Sequence, residues 1–207
     1  ELEQNGLICF VDFFVLETVC EYIHNWQKHG KKFIKVSVNM SRTTLRKKNV
    51  VQKAVAICSK YQIEPQMIEI EITESIGGLE KKLITRLMDD FHAAGFSIAL
   101  DDFGSGFSNI AALAENDFDV VKFDKSLIDT IFENDKSRTV IQQAINLCNA
   151  VNKNIETVGE GVETEQQLQI LKEYGCDIGQ GYLFSRPIPE EKFLKYFLTG
   201  ENGEKCD

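Results

Sequence analysis

Positive charge is in short supply in this sequence. Its 207 residues include 23 lysines and arginines against 32 aspartates and glutamates, so the formal net charge is −9. That balance argues against a protein that binds a nucleic-acid polymer through a broad basic face. A small phosphate-bearing substrate is still compatible with it, because acidic side chains that gather around cations make a locally positive site.

Long apolar runs are also missing. No apolar run approaches the ~18 residues that a membrane-spanning helix needs, and the first residues do not resemble a signal peptide. We therefore expect no membrane span in this chain and a cytoplasmic location, although a longer parent protein could be membrane-tethered. The chain begins at Glu1 without a methionine, so we expect it to be a piece of a longer protein.

The cysteines and histidines lack the spacings of metal ligands. The six cysteines include no C-x-x-C pair, and the three histidines fall on helix-like segments without ligand spacing. We predict free thiols in a reducing cytosol, most of them buried in apolar patterns. Cys206 is the exception, because it lies in a polar tail where we expect it to be exposed.

What the sequence does contain is a repeated arrangement of strand-like runs that end in polar side chains. The apolar run 96–100 ends at Asp101 and Asp102, and the glycine-rich stretch 103–107 follows at once. Residues 11–26 form an amphipathic helical pattern, and six strand-like runs follow, each with a helical pattern behind it. Strands are predicted at 33–40, 68–74, 96–100, 119–124, 154–159 and 177–180. Helices are predicted at 45–61, 79–94, 109–113, 137–151, 164–174 and 190–198.

Strands and helices that alternate in this way predict an α/β fold with a parallel sheet. A closed TIM-type (β/α) barrel has eight strands and about 250 residues, so we expect an incomplete barrel with about six of the eight strands. The alternative is an open doubly wound sheet, which would place ligands mainly at one switch point. Polar groups at nearly every strand end favour the barrel. We expect residues 1–198 to form one domain and 199–207 to form a polar tail.

The polar strand ends predict a shared site. In a parallel barrel successive strand ends circle one mouth, so we expect their side chains to face a common pocket. Four carboxylates in one pocket repel each other unless cations neutralise them, and carboxylate and amide oxygens suit Mg²⁺ or Mn²⁺. We therefore predict a two-ion site, in which Lys122 holds the attacking water or a phosphate oxygen. The set comprises Asn39, Glu71, Asp101, Asp102, Lys122, Glu160 and Gln180.

Each of these residues also has an ordinary structural interpretation. Asp101 and Asp102 could cap a helix or bind backbone amides in a turn, and their side chains point in different directions if the strand stays extended. Lys122 could be a surface residue whose stem packs on the strand, but a lysine inside a barrel strand needs an acidic partner. Asp124 could pair with Lys122 or reach the mouth of the barrel.

Six short strings resemble the EAL domain family, the cyclic-di-GMP phosphodiesterases. They come in the family's order and at its spacing across almost the whole chain, and together they are far more specific than any one alone. The strings are residues 38–41, 69–75, 101–108, 121–124, 159–164 and 180–184, with 186–189 directly after them.

The resemblance implies a role for each residue of the set. Asn39, Glu71, Asp101 and Glu160 would bind Mg²⁺ or Mn²⁺, Asp102 would serve the second ion, and Lys122 would orient the hydrolytic water. The reaction implied is hydrolysis of one phosphodiester of cyclic-di-GMP to linear pGpG. The implied partners are a second copy of the protein and sensor or cyclase domains in the parent protein. Residues expected near the substrate or supporting the site are Gln180, Asp124, Gly104, Ser105 and Glu163, the last bracing the loop 102–108.

One part of the family pattern is absent. The Glu-Ala-Leu signature, whose glutamate is a metal ligand, does not occur at the expected place, so we expect this chain to lack the first strands and to hydrolyse weakly or not at all. The alternative function is a non-catalytic cyclic-di-GMP receptor or dimerisation module. A remoter one is a different phosphoester hydrolase on the same barrel. Gly159 stands where the family usually has alanine.

Overall fold

A computed structural model describes residues 2, 5–28, 34–73, 81–105 and 109–199. The chain divides into two compact units, Glu1–Val121 and Lys122–Asp207, and the boundary falls inside the fourth strand. The predicted end of the second strand at Glu74, the start of the helix predicted from 79 and most of the polar tail lie outside the described residues.

The first unit alternates strands and helices. Its strands follow one another in the order β1-β2-β3-β4, and β1 pairs with β2 and β2 with β3 in parallel. The 3₁₀ turn Pro65–Met67 leads into β2. The elements are α1 (Ile8–Lys28), β1 (Val36–Asn39), α2 (Arg42–Leu45), α3 (Val50–Lys60), β2 (Ile68–Thr73), α4 (Lys81–Ala93), β3 (Ser97–Phe103), α5 (Asn109–Glu115) and the first half of β4 (Val120–Phe123).

The second unit repeats this alternation. It begins with the second half of β4, and its strands follow in the order β4-β5-β6, with β5 and β6 parallel. The 3₁₀ turn Thr130–Phe132 follows the first helix. The elements are α6 (Lys125–Asp129), α7 (Asp135–Val151), β5 (Glu156–Gly159), α8 (Glu165–Glu173), β6 (Ile178–Gly179) and α9 (Glu190–Thr199).

The central strands of the first unit are buried on both faces. All of β2 except its last residue is buried, as is usual for a parallel strand covered by helices. Phe91 of α4 is fully buried and packs edge-to-face on Phe96, with the ring centroids 5.5 Å apart. In the second unit α7 buries Ile141, Ile145 and Cys148, which recur at the spacing of one helical face.

All six predicted strands are present, but two helical predictions were incomplete. The helix predicted at 45–61 starts only at Val50, as α3. The short α2 before it, which Ser41 caps by accepting from the Thr44 N–H, was not predicted as a separate helix. The sequence interpretation also missed α6. Asp124 caps this helix, and its carboxylate accepts from the Ser126 N–H at 2.9 Å. The aspartate three residues before a short apolar stretch was the available signal.

The helices and thiols agree with what the composition predicted. Within the described ranges, no helix is both long and apolar enough to cross a membrane. The five cysteines in these ranges are free and buried, as predicted: Cys9, Cys20, Cys58, Cys148 and Cys176. Cys206 lies outside the described residues.

Candidate active site

The predicted site residues fall into two groups, one in each unit. In the first unit, the side chains of Asn39 and Glu71 meet across neighbouring strands. The two residues are directly opposite each other in the β1–β2 register, and the Asn39 amide donates a hydrogen bond of 2.9 Å to Glu71 Oε2. Glu71 is buried. These two strand ends therefore bring an amide and a carboxylate together, and their role as metal ligands stays a prediction.

Asp101 lies on the same face of the sheet as Glu71. Glu71 is opposite Ala99, and Thr73 is opposite Asp101. Because side chains alternate along a strand, Asp101 projects from the same face as Ala99, one step further along. It is buried, and its Oδ1 accepts from the Asp102 N–H at 3.0 Å. A turn-type contact to a backbone amide, the structural alternative for this aspartate, is therefore present.

Asp102 departs from extended geometry. Its φ is +58°, in the left-handed region that few residues other than glycine, asparagine and aspartate adopt. The strand does not stay extended at Asp102, so the expectation that the two side chains point in different directions does not apply. A carboxylate oxygen of Asp101 and one of Asp102 lie within 4.8 Å of each other. A strained non-glycine residue beside paired acids is a pattern found at functional sites.

The turn after Asp102 is built around Ser105 and Gly104. The Ser105 N–H and hydroxyl both donate to the Asp102 carbonyl, at 3.1 and 2.9 Å. Gly104 has a φ of +101°, which only glycine adopts without strain. These two predicted residues therefore hold the backbone of Asp102. The rest of the predicted loop, residues 106–108, lies outside the described residues.

Two supporting contacts were not predicted from the sequence. Asp12, buried on α1, accepts from the Ser41 N–H (3.0 Å), the Ser41 hydroxyl (2.6 Å) and the Thr44 hydroxyl (2.5 Å). It ties down the segment that follows Asn39. An acid on the apolar face of an amphipathic helix was the available signal. The second contact involves Glu69, two residues before Glu71 on β2, whose carboxylate accepts from the Ser37 hydroxyl at 2.8 Å.

In the second unit, Lys122 and Glu160 form an ion pair. Lys122 Nζ is 2.6 Å from Glu160 Oε1, and the two side chains are only 7% and 18% exposed. Lys122 lies inside β4 and has an acidic partner, as the barrel interpretation required. It is therefore not a surface residue. Glu160 follows β5, and its N–H donates to the Phe123 carbonyl at 3.0 Å. The partner is Glu160, while Asp124 caps α6 as described above.

The backbone of Gln180 is held beside the loop that follows β5. Its N–H donates to the Gly159 carbonyl (2.8 Å), and its carbonyl accepts from the Val162 N–H (3.0 Å). The next residue must be glycine, because a Cβ at Gly181 would lie 2.2 Å from the Val162 carbonyl oxygen. The backbone of Gln180 is therefore fixed beside residues 159–162, and the role of its side chain at the site stays a prediction.

Glu163 pairs with Lys125. The two side chains form an ion pair, and Lys125 Nζ also lies 3.6 Å from Asp129 Oδ1. The hydrogen bond from Lys125 holds the pKa of the Glu163 carboxyl below its ordinary value and raises the pKa of Lys125. The role predicted for Glu163, bracing the loop 102–108, concerns residues that are partly outside the described ranges, so it stays a prediction.

Comparisons with known proteins agree on one family. A family model described as the EAL domain matches residues 1–187. The cyclic di-GMP phosphodiesterase NbdA of Pseudomonas aeruginosa is 31% identical over 198 residues, which are 94% of this chain and 25% of NbdA. The chain spans between about a quarter and about a third of the length of the first curated relatives it matches.

Solved structures give the same result at the level of the fold. The PaMucR phosphodiesterase in complex with c-di-GMP has a TM-score of 0.86 and 27% identity, over 93% of this chain and 77% of that one. The EAL domain of Mycobacterium smegmatis DcpA has a TM-score of 0.84 and 28% identity, over 90% and 83%. EAL domains are TIM barrels, so the predicted α/β fold of TIM type is confirmed.

Proposed function

Because the chain belongs to the EAL domain family, we propose that it carries the metal-dependent hydrolysis of one phosphodiester of cyclic-di-GMP, with linear pGpG as product. The observation that carries this proposal is the backbone at Asp102, where a φ of +58° turns one carboxylate toward its neighbour Asp101. Such convergence costs electrostatic energy, and a cation between the oxygens offsets it.

The residues fit divalent cations. We propose that the ligands are the carboxylates of Glu71, Asp101, Asp102 and Glu160 and the amide oxygen of Asn39. All are hard oxygen donors, which Mg²⁺ and Mn²⁺ prefer. When bound, the cations would act as Lewis acids and neutralise the charge that develops on the phosphodiester. Asn39 is compatible with this role, because its hydrogen bond to Glu71 uses the amide nitrogen and not the oxygen.

The ammonium group of Lys122 would orient the reactants. Lys122 Nζ would donate a hydrogen bond to the attacking water or to a phosphate oxygen, and Glu160 Oε1, 2.6 Å away, would hold the ammonium in place. Water attacks phosphorus in line with the leaving O3′. The P–O3′ bond breaks, the freed oxygen takes a proton as a 3′-hydroxyl, and the phosphate stays on the 5′ side, which yields pGpG. Gln180, Gly104, Ser105, Asp124 and Glu163 are proposed as supporting residues around this reaction.

The domain would work within a longer protein. The chain spans only 24% and 36% of the length of two of the relatives it matches. We therefore propose that residues 1–198 are the phosphodiesterase domain of a cytoplasmic, dimeric signalling protein with sensor or cyclase domains, and that 199–207 form its tail.

A single-turnover assay tests the hydrolysis. With the chain in excess over cyclic-di-GMP and with Mn²⁺ present, we expect slow formation of pGpG, resolved by chromatography, and none after chelation of the metal. Asp101→Asn and Lys122→Ala should each lower the rate about 10²–10³-fold, the size of one lost transition-state contact. Lys172→Ala, an exposed lysine on α8, is the matched control and should keep the wild-type rate.

The outcomes separate the alternatives. Saturable cyclic-di-GMP binding by calorimetry without any pGpG would favour the receptor function over catalysis. Hydrolysis that survives Lys122→Ala or chelation would mean that the residue roles proposed here are wrong. Turnover of other phosphodiesters at the same rate would indicate a different hydrolase on this fold.

A further inference from the structure

A cavity of about 410 Å³ lies within the first unit, on its helical side. Its lining comes from the end of α2, the segment 46–49 that leads into α3, the first turn of α3, and α4. None of its lining residues belongs to the set proposed for hydrolysis. Its volume is in the range of about 300–1,000 Å³ that small-molecule sites occupy.

The rim of this cavity is strongly positive. Arg46, Lys47 and Lys48 come from the segment between α2 and α3, and Arg86 comes from α4. Among the lining residues that the structure describes, the only carboxylate is Asp90, whose Oδ2 is 4.0 Å from Arg86 Nε. Four cations and one anion give the described lining residues a formal charge of +3, in a chain whose net charge is −9. A local excess of one sign of charge attracts ligands of the other sign.

The floor of the cavity is apolar. Leu45, Val50 and Leu87 are buried beneath it, and Leu83 is 40% exposed at its edge. The cavity also contains the start of α3, where Asn49 makes no side-chain capping bond, so the positive end of that helix adds to the charge of the rim. An inorganic anion would use the rim alone, whereas a ligand with an apolar or aromatic group would use the floor as well.

We propose that this cavity is a second ligand site, for a small phosphate ester that carries an aromatic or apolar group, such as a nucleoside monophosphate. The phosphate lies among the cationic side chains of Arg46, Lys47, Lys48 and Arg86, and the base or apolar group covers Leu83 and the buried floor. The site does not depend on the reaction proposed above, because it shares no residue with it.

Calorimetric titration of the full chain tests this site. The buffer has low salt and contains a chelator, so that metal-dependent binding at the hydrolytic residues does not contribute. The probes are GMP, ribose 5-phosphate and inorganic phosphate. We expect GMP to bind most tightly, because it alone contacts both the rim and the floor. Lys47→Gln combined with Lys48→Gln should weaken GMP binding about tenfold, as expected for the loss of two exposed charge contacts. Lys82→Gln, an exposed lysine of α4 that does not line the cavity, is the matched control.

A second variant separates the floor from the rim. Leu83→Ser should weaken GMP binding but leave ribose 5-phosphate binding unchanged, and thermal unfolding should show that every variant is folded. Asp101→Asn should bind GMP as the wild type does. The proposal fails if GMP shows no saturable binding, or if the Lys47 and Lys48 variant binds as tightly as the Lys82 control. It also fails if Asp101→Asn loses GMP binding, which would place the nucleotide among the hydrolytic residues.

Discussion

At the scale of single residues, the chemistry of the first unit depends on one backbone angle. A regular strand would send the side chains of Asp101 and Asp102 to opposite faces. With φ at +58°, Asp102 leaves the strand geometry, and the carboxylates of the pair come within 4.8 Å. The turn is held by Ser105, which donates twice to the Asp102 carbonyl. The backbone departure at Asp102 is therefore held by contacts within the same four residues.

Substitutions at Asp102 separate its backbone role from its charge. Asp102→Asn should keep the fold, because asparagine tolerates the left-handed region, and should weaken Mn²⁺ binding about tenfold or more because one carboxylate is lost. Asp102→Ala should lose the same affinity and also about 1 kcal/mol of unfolding free energy. Titration of Mn²⁺ followed by electron paramagnetic resonance and urea unfolding measure the two effects. Wild-type Mn²⁺ affinity in Asp102→Asn would contradict the assignment.

The Lys125–Glu163 pair predicts an acid-side titration. The pKa of Glu163 is lower in the folded chain than its ordinary value of 4.5, chiefly because of the hydrogen bond from Lys125. The pair therefore stabilises the fold above the unfolded pKa, and this contribution is lost as the pH falls through the lower, folded value. A carboxyl NMR titration should show the lowered pKa, and Lys125→Gln should return it to near 4.5. Asp129→Asn leaves the Lys125–Glu163 pair intact and should leave the lowered pKa of Glu163 unchanged. If Lys125→Gln does not change the pKa of Glu163, the hydrogen bond from Lys125 is not its cause.

At the scale of secondary-structure elements, the helices that follow strand ends are fixed by their first turns. Asp124 caps α6 directly after β4. Thr164 and Gln167 form a capping box at the start of α8, in which the Thr164 hydroxyl accepts from the Gln167 N–H at 3.2 Å and Gln167 Oε1 accepts from the Thr164 N–H at 3.0 Å. Gln167 Oε1 also accepts from the Glu163 N–H at 2.8 Å. The cap therefore joins the loop after β5 to the helix, and it orders the chain just beyond Glu160.

Removal of the Thr164 hydroxyl should loosen this cap. Thr164→Ala should lower the unfolding free energy by about 1 kcal/mol, because the first turn of α8 loses its side-chain acceptor. Thr164→Ser keeps the hydroxyl and should stay close to the wild type. Urea unfolding of the three proteins measures the difference. Equal midpoints for the alanine variant and the wild type would show that the capping box contributes nothing.

At the scale of the whole molecule, the cysteines in the described part of the chain are free and inaccessible. The five cysteines in the described ranges are buried in helices and beside strands. Burial raises the pKa of Cys148 to about 12 and also raises the pKa of Cys176. The Cys20 and Cys58 sulfurs lie 3.9 Å apart, and the neighbouring thiol together with burial raises the pKa of Cys20. Thiolate, the reactive form, is therefore scarce at Cys20, Cys148 and Cys176. At Cys58 the direction is opposite, because the hydrogen bond with Cys20 lowers its pKa.

Thiol labelling measures this burial. In the native chain at pH 8, we expect one of the six thiols to react quickly with Ellman's reagent and all six to react after denaturation in urea. The fast thiol should be Cys206, which the sequence places in a polar tail, and Cys206→Ser should remove the fast phase. Two or more fast thiols in Cys206→Ser would mean that the cores of the units open readily in solution.

The sequence by itself determined the kinds of elements, their order and the family. Periodicity and turn residues are local signals, so the six strands, the polar residues that close them and the free thiols could all be predicted without the fold. The same local signals missed the break between α2 and α3 and the short α6, because caps decide such boundaries and their patterns are only a few residues long.

The tertiary structure alone decided which side chains meet. The sequence suggested Asp124 as a possible partner of Lys122, but the fold pairs Lys122 with Glu160, 38 residues away, and Asp124 caps a helix. The Asn39–Glu71 contact depends on strand register, and the close approach of Asp101 and Asp102 depends on a backbone angle that no periodicity encodes. The positive cavity is lined by residues of α2, α3 and α4, which are distant in the sequence. Partners distant in the chain are chosen by packing and register, and these are properties of the folded molecule.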